Sequence, residues 1–218
     1  MHIPKTAGSS IRHILPPSDE SKFACGHADA MTYYGFFHGS DYRVKDPLGR
    51  EKWEEYMKFA FVRNPWDRFV SAYRYLKNGG NDSCESAAVK RVLIDKCSCI
   101  KEFICNEEIM NGDILNGSGD LIDQGICYRV YHFKSQHQML KHTVSNQILI
   151  DNIYRFEALQ EGIDDIFKKI GIPQQPLPHF KKNREEMDYT DYYDKETREI
   201  IAAKYKEDIE LFGYEFGK

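Results

Sequence analysis

His2-Ile3-Pro4-Lys5-Thr6-Ala7-Gly8-Ser9-Ser10-Ile11 sets a proline, a lysine, two small residues and two serines ahead of the short stretch Ile11–Leu15. This is the layout of a strand end, a tight loop and a helix N-terminus. Free backbone N–H groups at a helix start, ringed by Ser and Thr hydroxyls and one Lys, make a cradle for an anion. The run is not a Walker A loop, which places its Lys after the second Gly and directly before Ser or Thr; here Lys5 precedes Gly8. Taken alone, a capped turn with a solvated lysine fits the same residues.

A second stretch narrows the reading. Lys58-Phe59-Ala60-Phe61-Val62 is a nearly continuous apolar run that stops at Arg63, as a short buried strand does. Asn64-Pro65 then supplies a helix N-cap and a proline at the first helical position. The helix predicted from Trp66 to about Lys77 carries Phe69, Val70, Tyr73 and Leu76 at helical spacing. Ser71 follows Arg63 by eight residues. A strand-end arginine can fork two N–H groups onto a phosphate, and a nearby hydroxyl can add a third bond. A structural ion pair of Arg63 with Asp67 is the competing reading.

Together the two stretches resemble sulfotransferases. Pro4-Lys5-Thr6-Ala7-Gly8-Ser9-Ser10 resembles the loop that holds the 5′-phosphosulfate, and Arg63-Asn64-Pro65 with Ser71 resembles the 3′-phosphate motif. The donor implied is 3′-phosphoadenosine 5′-phosphosulfate (PAPS), with no metal required. Tyr131-His132-Phe133-Lys134-Ser135-Gln136 and Ile153-Tyr154-Arg155-Phe156-Glu157-Ala158-Leu159 resemble the carbohydrate branch, the family 2-like glycan O-sulfotransferases. So does the ending, from Leu177-Pro178-His179 through Tyr205-Lys206-Glu207-Asp208 to Phe212-Gly213-Tyr214. The fold implied is α/β: a P-loop-like three-layer fold whose central, mainly parallel sheet is flanked by helices. The resemblance covers nearly the whole chain, so one sulfotransferase domain over residues 1–218 is expected. Only Met1-His2-Ile3 stand before the loop, where a buried strand usually needs about five residues, so a truncated first strand is expected.

The chemistry implied assigns roles. Negative charge grows on the leaving phosphate during sulfuryl transfer, and a cation beside the bridging oxygen favours that transition state. Lys5 is the candidate, with Thr6, Ala7, Gly8, Ser9 and Ser10 supplying backbone and hydroxyl donors. The acceptor hydroxyl needs a general base, for which histidine is suited. His27, in Phe23-Ala24-Cys25-Gly26-His27, matches the Gly-His position of heparan sulfate and uronyl 2-O-sulfotransferases, where histidine is assigned that role. A hydrogen-bonded histidine at a strand end remains the other reading of His27, and His132 is the second candidate base. His179–Arg184 resembles the family's loop over the nucleotide, which makes Lys181, Lys182 and Asn183 candidate donor contacts; a solvated charge run fits it too.

Composition bounds the alternatives. The chain has 218 residues, 41% hydrophobic and 29% charged, which suits one soluble α/β domain with a sizeable core. A net charge of −4 argues against a broadly basic nucleic-acid binder and weakens the case for a long, densely sulfated acceptor. A carbohydrate or small hydroxylated acceptor is the expected partner. The sequence has no apolar run long enough to span a bilayer and no signal-peptide pattern. A cytoplasmic location is therefore expected, or the Golgi lumen if an N-terminal anchor is missing from this chain; oligomeric state is left open. The six cysteines lack zinc-ligand spacings, and Cys97 and Cys99 are expected to point to opposite sides of a helix. A kinase would need a Lys-Ser/Thr pair behind a Gly loop and a Walker B aspartate. A non-catalytic nucleotide- or anion-binding protein of the same fold stays in view.

Further along, a helical stretch is expected through Val89, Val92, Leu93, Ile100, Phe103 and Ile104, and a loop over Asn111–Gly125. Strands or strand-like runs are expected at Gln147–Ile150 and Ile153–Phe156. An amphipathic helix from Glu157 to Ile170 should stop at Gly171 and Pro173. A last helix should start near Asp194, with Ile201, Tyr205, Ile209 and Phe212 on one face. Tyr33, Tyr34, Phe36, Phe37, Tyr42 and Trp53 form an aromatic cluster that fits sugar stacking or core packing.

Overall fold

Phe59-Ala60-Phe61-Val62 does form a strand, and a parallel partner from far along the chain completes it. In the computed structural model, residues 1, 3–15, 30, 31, 34, 50–80, 84–112, 115, 120–123, 126–129, 131–177 and 187–218 are described. In chain order the described elements begin with α1 (Gly8–Ile14), α2 (Arg50–Glu55), β1 (Phe59–Val62), α3 (Pro65–Lys77) and α4 (Cys84–Val92). They continue with α5 (Ile100–Cys105), α6 (Glu107–Asn111), β2 (Asp120–Asp123), β3 (Ile126–Arg129), α7 (Gln136–Leu140) and β4 (Asn152–Arg155). The last are α8 (Leu159–Ile170), α9 (Lys195–Lys204) and α10 (Lys206–Phe212). Contacts divide the chain into two compact units, Met1–Arg63 with Gln136–Arg184, and Asn64–Ser135 with Glu185–Lys218.

In the first unit β1 and β4 pair in parallel, Phe59 opposite Asn152 through Val62 opposite Arg155. β1 is buried after its first residue because it carries no polar side chain to solvate. Its start is pinned by Lys58, whose N–H donates to Asp151 Oδ2 (2.9 Å) and whose ammonium reaches the carbonyls of Trp53 and Tyr56 (2.9 Å each). The amphipathic α8 lays Ile163, Ile166 and Phe167 against Phe61 and Ile11. Its end is the predicted one: Gly171, at φ 73°, takes the left-handed cap that a side chain would disfavour. Its start is later than predicted, because Phe156–Ala158 wind as a 3₁₀ turn first. Met1 and Ile3 are not in a strand, although the Met1 nitrogen donates to the Phe59 carbonyl at 2.7 Å. The strand-like run at Gln147–Ile150 is reduced to one bridge, Lys141 with Ile148.

The second unit is mostly helical. Asn64 caps α3 by accepting from the Trp66 N–H (3.2 Å), and Pro65 occupies the first turn, as the sequence predicts. The apolar face of α3 meets Val89, Leu93, Phe103, Ile104, Phe133, Ile201 and Tyr205 in one core. The predicted last helix is two helices, α9 and α10, broken at Tyr205 (φ −109°, ψ 27°). The Tyr205 hydroxyl donates to the Phe133 carbonyl (2.8 Å), and the Ser135 hydroxyl donates to the wholly buried Asp208 (2.7 Å). Burial drives the Tyr205 phenol far above its ordinary pKa, and the charge of Arg68 pulls it partly back. Arg68 itself is 2% exposed and reaches the Tyr131 carbonyl at 3.4 Å.

Two expectations are corrected here. The loop expected over Asn111–Gly125 contains β2, which pairs antiparallel with β3, Leu121 opposite Tyr128 and Ile122 opposite Cys127. The β-favouring residues of both strands outweigh the Gly, Asn and Asp around them. Cys97 and Cys99 are not on a helix but in bends before α5, the first buried and the second exposed. What the described residues establish is a helix-rich α/β structure with a small parallel two-strand sheet and an antiparallel pair.

One glycine measures how tightly α8 sits on the sheet. A Cβ at Gly162 would lie 2.7 Å from the Phe61 ring and 3.1 Å from Tyr154 Cβ, inside van der Waals contact. Gly162→Ala is expected to destabilise the fold by about 1–3 kcal/mol through overpacking, despite the better helix propensity of alanine. Urea denaturation of the variant beside wild type checks this.

Candidate functional site

Pro4, Lys5, Thr6 and Ala7 make the tight loop predicted ahead of α1. Ile3, wholly buried, anchors its start, and the Thr6 hydroxyl donates back to the Ile3 carbonyl at 2.8 Å. The Ile11 N–H donates to the Ala7 carbonyl (3.1 Å), which begins the helix. Lys5 (φ 70°) and Ala7 (φ 60°) both lie in the left-handed region although neither is glycine. Such a conformation costs roughly 1–2 kcal/mol per residue, and it persists only where its surroundings hold it.

Arg63 supplies part of that hold. Its Nη1 donates to the Lys5 carbonyl at 3.0 Å, so the two stretches that the sequence singles out meet in space. The guanidinium also lies over the Phe156 ring, 4.3 Å from its centre. The Arg63 backbone is fixed as well. Its N–H donates to Gln136 Oε1 (2.9 Å), and Gln136 Nε2 donates to its carbonyl (2.8 Å). Gln136 is wholly buried.

The remaining candidates divide. Thr6 (2% exposed) and Ser10 (9%) are buried, Gly8 opens α1, and Ser9 is placed by its backbone. The Thr6 hydroxyl hydrogen goes to the loop itself. Ser71 is half-buried on α3 in the second unit. His27, Lys181, Lys182 and Asn183 lie outside the described residues. His132 is 5% exposed and stacked on Tyr75 at 5.4 Å with ring planes 22° apart. Of the aromatic cluster, Tyr34 and Trp53 are described and meet edge to face at 5.4 Å. A separate open cleft of about 500 Å³ lies in the second unit, bordered by Cys105, Glu107, Met110, Glu196 and Lys204. Burial lowers the Lys204 amine to about 8, and it donates to the Met110 carbonyl at 3.0 Å. Among the described residues, no three His, Cys, Asp or Glu side chains come together as a metal would require, and no helix is long and apolar enough to cross a membrane.

The strained lysine loop is thus held by a strand-end arginine through the Lys5 carbonyl, and comparison with known proteins gives the chain a family. The sequence model of the sulfotransferase family matches residues 1–215. The chain belongs to the sulfotransferase family. Sulfuryl transfer is therefore its general chemistry. An Archaeoglobus fulgidus protein described as an uncharacterized protein is 24% identical over 132 residues, which is 61% of this chain and 82% of that protein. No solved structure matches the sulfotransferase chain.

Gln136 and Phe156 were not singled out by the sequence reading as site residues. Both sit inside quoted runs, but nothing local says that a glutamine will pair a peptide 73 positions back. The signal was the position of each: Phe156 directly follows a predicted strand, and Gln136 closes the Tyr131–Gln136 run. Replacing Ala7 by glycine tests the strain in the loop. Ala7→Gly removes a left-handed penalty of about 1–2 kcal/mol and adds a backbone-entropy cost of about 0.5–1. A net gain of about 0.5–1 kcal/mol in chemical denaturation is expected.

Proposed function

We propose that this sulfotransferase moves a sulfuryl group from PAPS to a hydroxyl of a carbohydrate, in one domain over residues 1–218. The observation that carries the reading is the 3.0 Å bond from Arg63 to the Lys5 carbonyl, which joins the loop suited to a phosphosulfate with the arginine suited to a 3′-phosphate. The left-handed loop supports it, since strain of this kind is kept where function uses it. The carbohydrate acceptor rests on the resemblance of the later runs, and the three-layer fold with a central, mainly parallel sheet rests on family membership. A cytoplasmic location belongs to the same proposal, with the Golgi lumen as its alternative.

In this reading the bond from sulfur to the 5′-phosphate oxygen breaks as the acceptor oxygen bonds to sulfur in line. Lys5 offsets the charge growing on the departing phosphate, and Thr6, Ala7, Gly8, Ser9 and Ser10 bind its oxygens through backbone and hydroxyl donors. Arg63 and Ser71 take the 3′-phosphate, with Lys181 and Asn183 closing over the nucleotide. His27 accepts the proton of the attacking hydroxyl. No step calls for a metal ion.

Calorimetric titration with 3′-phosphoadenosine 5′-phosphate, in the presence of a chelator, tests the donor site. Arg63→Ala is expected to weaken binding by roughly tenfold or more, the loss of a charge-assisted contact being worth about 1.5–3 kcal/mol. Lys5→Ala should retain binding while turnover with PAPS falls by about 10²–10³, as for loss of a group aimed at transition-state charge. Folded wild type that binds no nucleotide would sink the reading. Binding without transfer to any acceptor in a hydroxyl-compound screen would make the chain a nucleotide-binding relative instead.

A further inference from the structure

We propose that Gln136 is a positioning residue for the donor site: its side-chain amide fixes the Arg63 peptide, and through it the guanidinium that holds Lys5. This inference rests on the donor reading of the Lys5–Arg63 pair. The argument starts where β1 ends. The ladder with β4 stops at Val62 opposite Arg155, so Arg63 is the first residue beyond it. Gln136 pairs with that residue, accepting from the Arg63 N–H at 2.9 Å and donating to the Arg63 carbonyl at 2.8 Å. A primary amide holds a donor and an acceptor side by side in one plane, so it can pair with a residue's own N–H and C=O much as a neighbouring strand does. Gln136 is wholly buried, so water does not replace it readily.

The consequence is carried outward by the arginine side chain. With its backbone fixed on both polar groups, Arg63 leaves the sheet in one direction. Phe156, the first residue beyond β4, receives the guanidinium on its ring face at 4.3 Å. Nη1 then meets the Lys5 carbonyl, whose residue sits in the left-handed region. A rotation of the Arg63 peptide would displace the guanidinium and release the lysine loop together. A guanidinium moved off its partner loses its charge-assisted hydrogen bond, so a group that never touches the donor can control its binding.

A double-mutant cycle read by calorimetry with 3′-phosphoadenosine 5′-phosphate separates positioning from general support. Gln136→Leu, close in volume but without the amide, is expected to weaken binding about tenfold or more in the wild-type background. In the Arg63→Ala background the same change should alter binding less than about twofold, since the residue it acts through is gone. A loss of equal size in both backgrounds overturns the proposal, because a diffuse structural defect does not depend on Arg63. Unchanged binding by folded Gln136→Leu overturns it too. Wild type that fails to bind would overturn the donor reading and this inference together, whereas binding by wild type with an indifferent Gln136→Leu overturns the inference alone. Should Gln136→Leu not fold, Gln136→Glu keeps the length and the acceptor and loses the donor to the Arg63 carbonyl. Its loss of affinity must again vanish in the Arg63→Ala background, and circular dichroism with thermal melts confirms folding of every variant used.

Discussion

The parallel register of β1 against β4 is the constraint on which the candidate site depends. Parallel strands send both C-terminal ends to the same edge of a sheet, and in open α/β sheets ligands bind outside that edge. Because Val62 lies opposite Arg155, the next residues, Arg63 and Phe156, leave the sheet at one level. The 4.3 Å contact between guanidinium and ring is then prepared by the strand pairing, with Gln136 holding the Arg63 peptide just beyond its end. The register is itself enforced from below. Phe61 meets the Tyr154 ring at 5.4 Å, and α8 presses on both through Gly162.

Local chemistry made part of this legible in the sequence. The apolar run of β1, the Asn64 cap, the proline of α3 and the glycine closing α8 each declare themselves within a few residues, because the physics that selects them is local. What the sequence left hidden is of longer range or carries no residue signature. Lys5 and Ala7 adopt a conformation usually given to glycine, and nothing in their identity announces it. The contact between Arg63 and Lys5 spans 58 positions, and that with Gln136 spans 73. The break at Tyr205 was unreadable for a similar reason: the apolar spacing continues through it, while distant polar bonds to Phe133 and Ser135 set where Tyr205 and Asp208 lie. β2 and β3 were masked by their surroundings, since Gly, Asn and Asp dominate a composition window even when two short β-favouring runs sit inside it.

A motif that resembles a family's does not thereby touch the substrate. Tyr205 and Asp208 belong to a run read as part of the carbohydrate branch, and in the structure the Tyr205 hydroxyl donates to the Phe133 carbonyl while Asp208 Oδ1 accepts from the Ser135 hydroxyl. Asp208 is wholly buried and Arg68 nearly so, and a buried charge is tolerated only while its partners hold. Removing the Ser135 hydroxyl or the Tyr205 phenol would take a hydrogen-bond partner from Asp208 or from the Phe133 carbonyl. Gln136, the next residue along, differs in kind: its bonds go to the Arg63 peptide, one residue's length from the guanidinium that the proposed chemistry uses. Within one short run, then, Ser135 bonds to Asp208 and Gln136 to the Arg63 peptide. The two are separated by where their hydrogen bonds end, a distinction that spacing in the sequence does not carry.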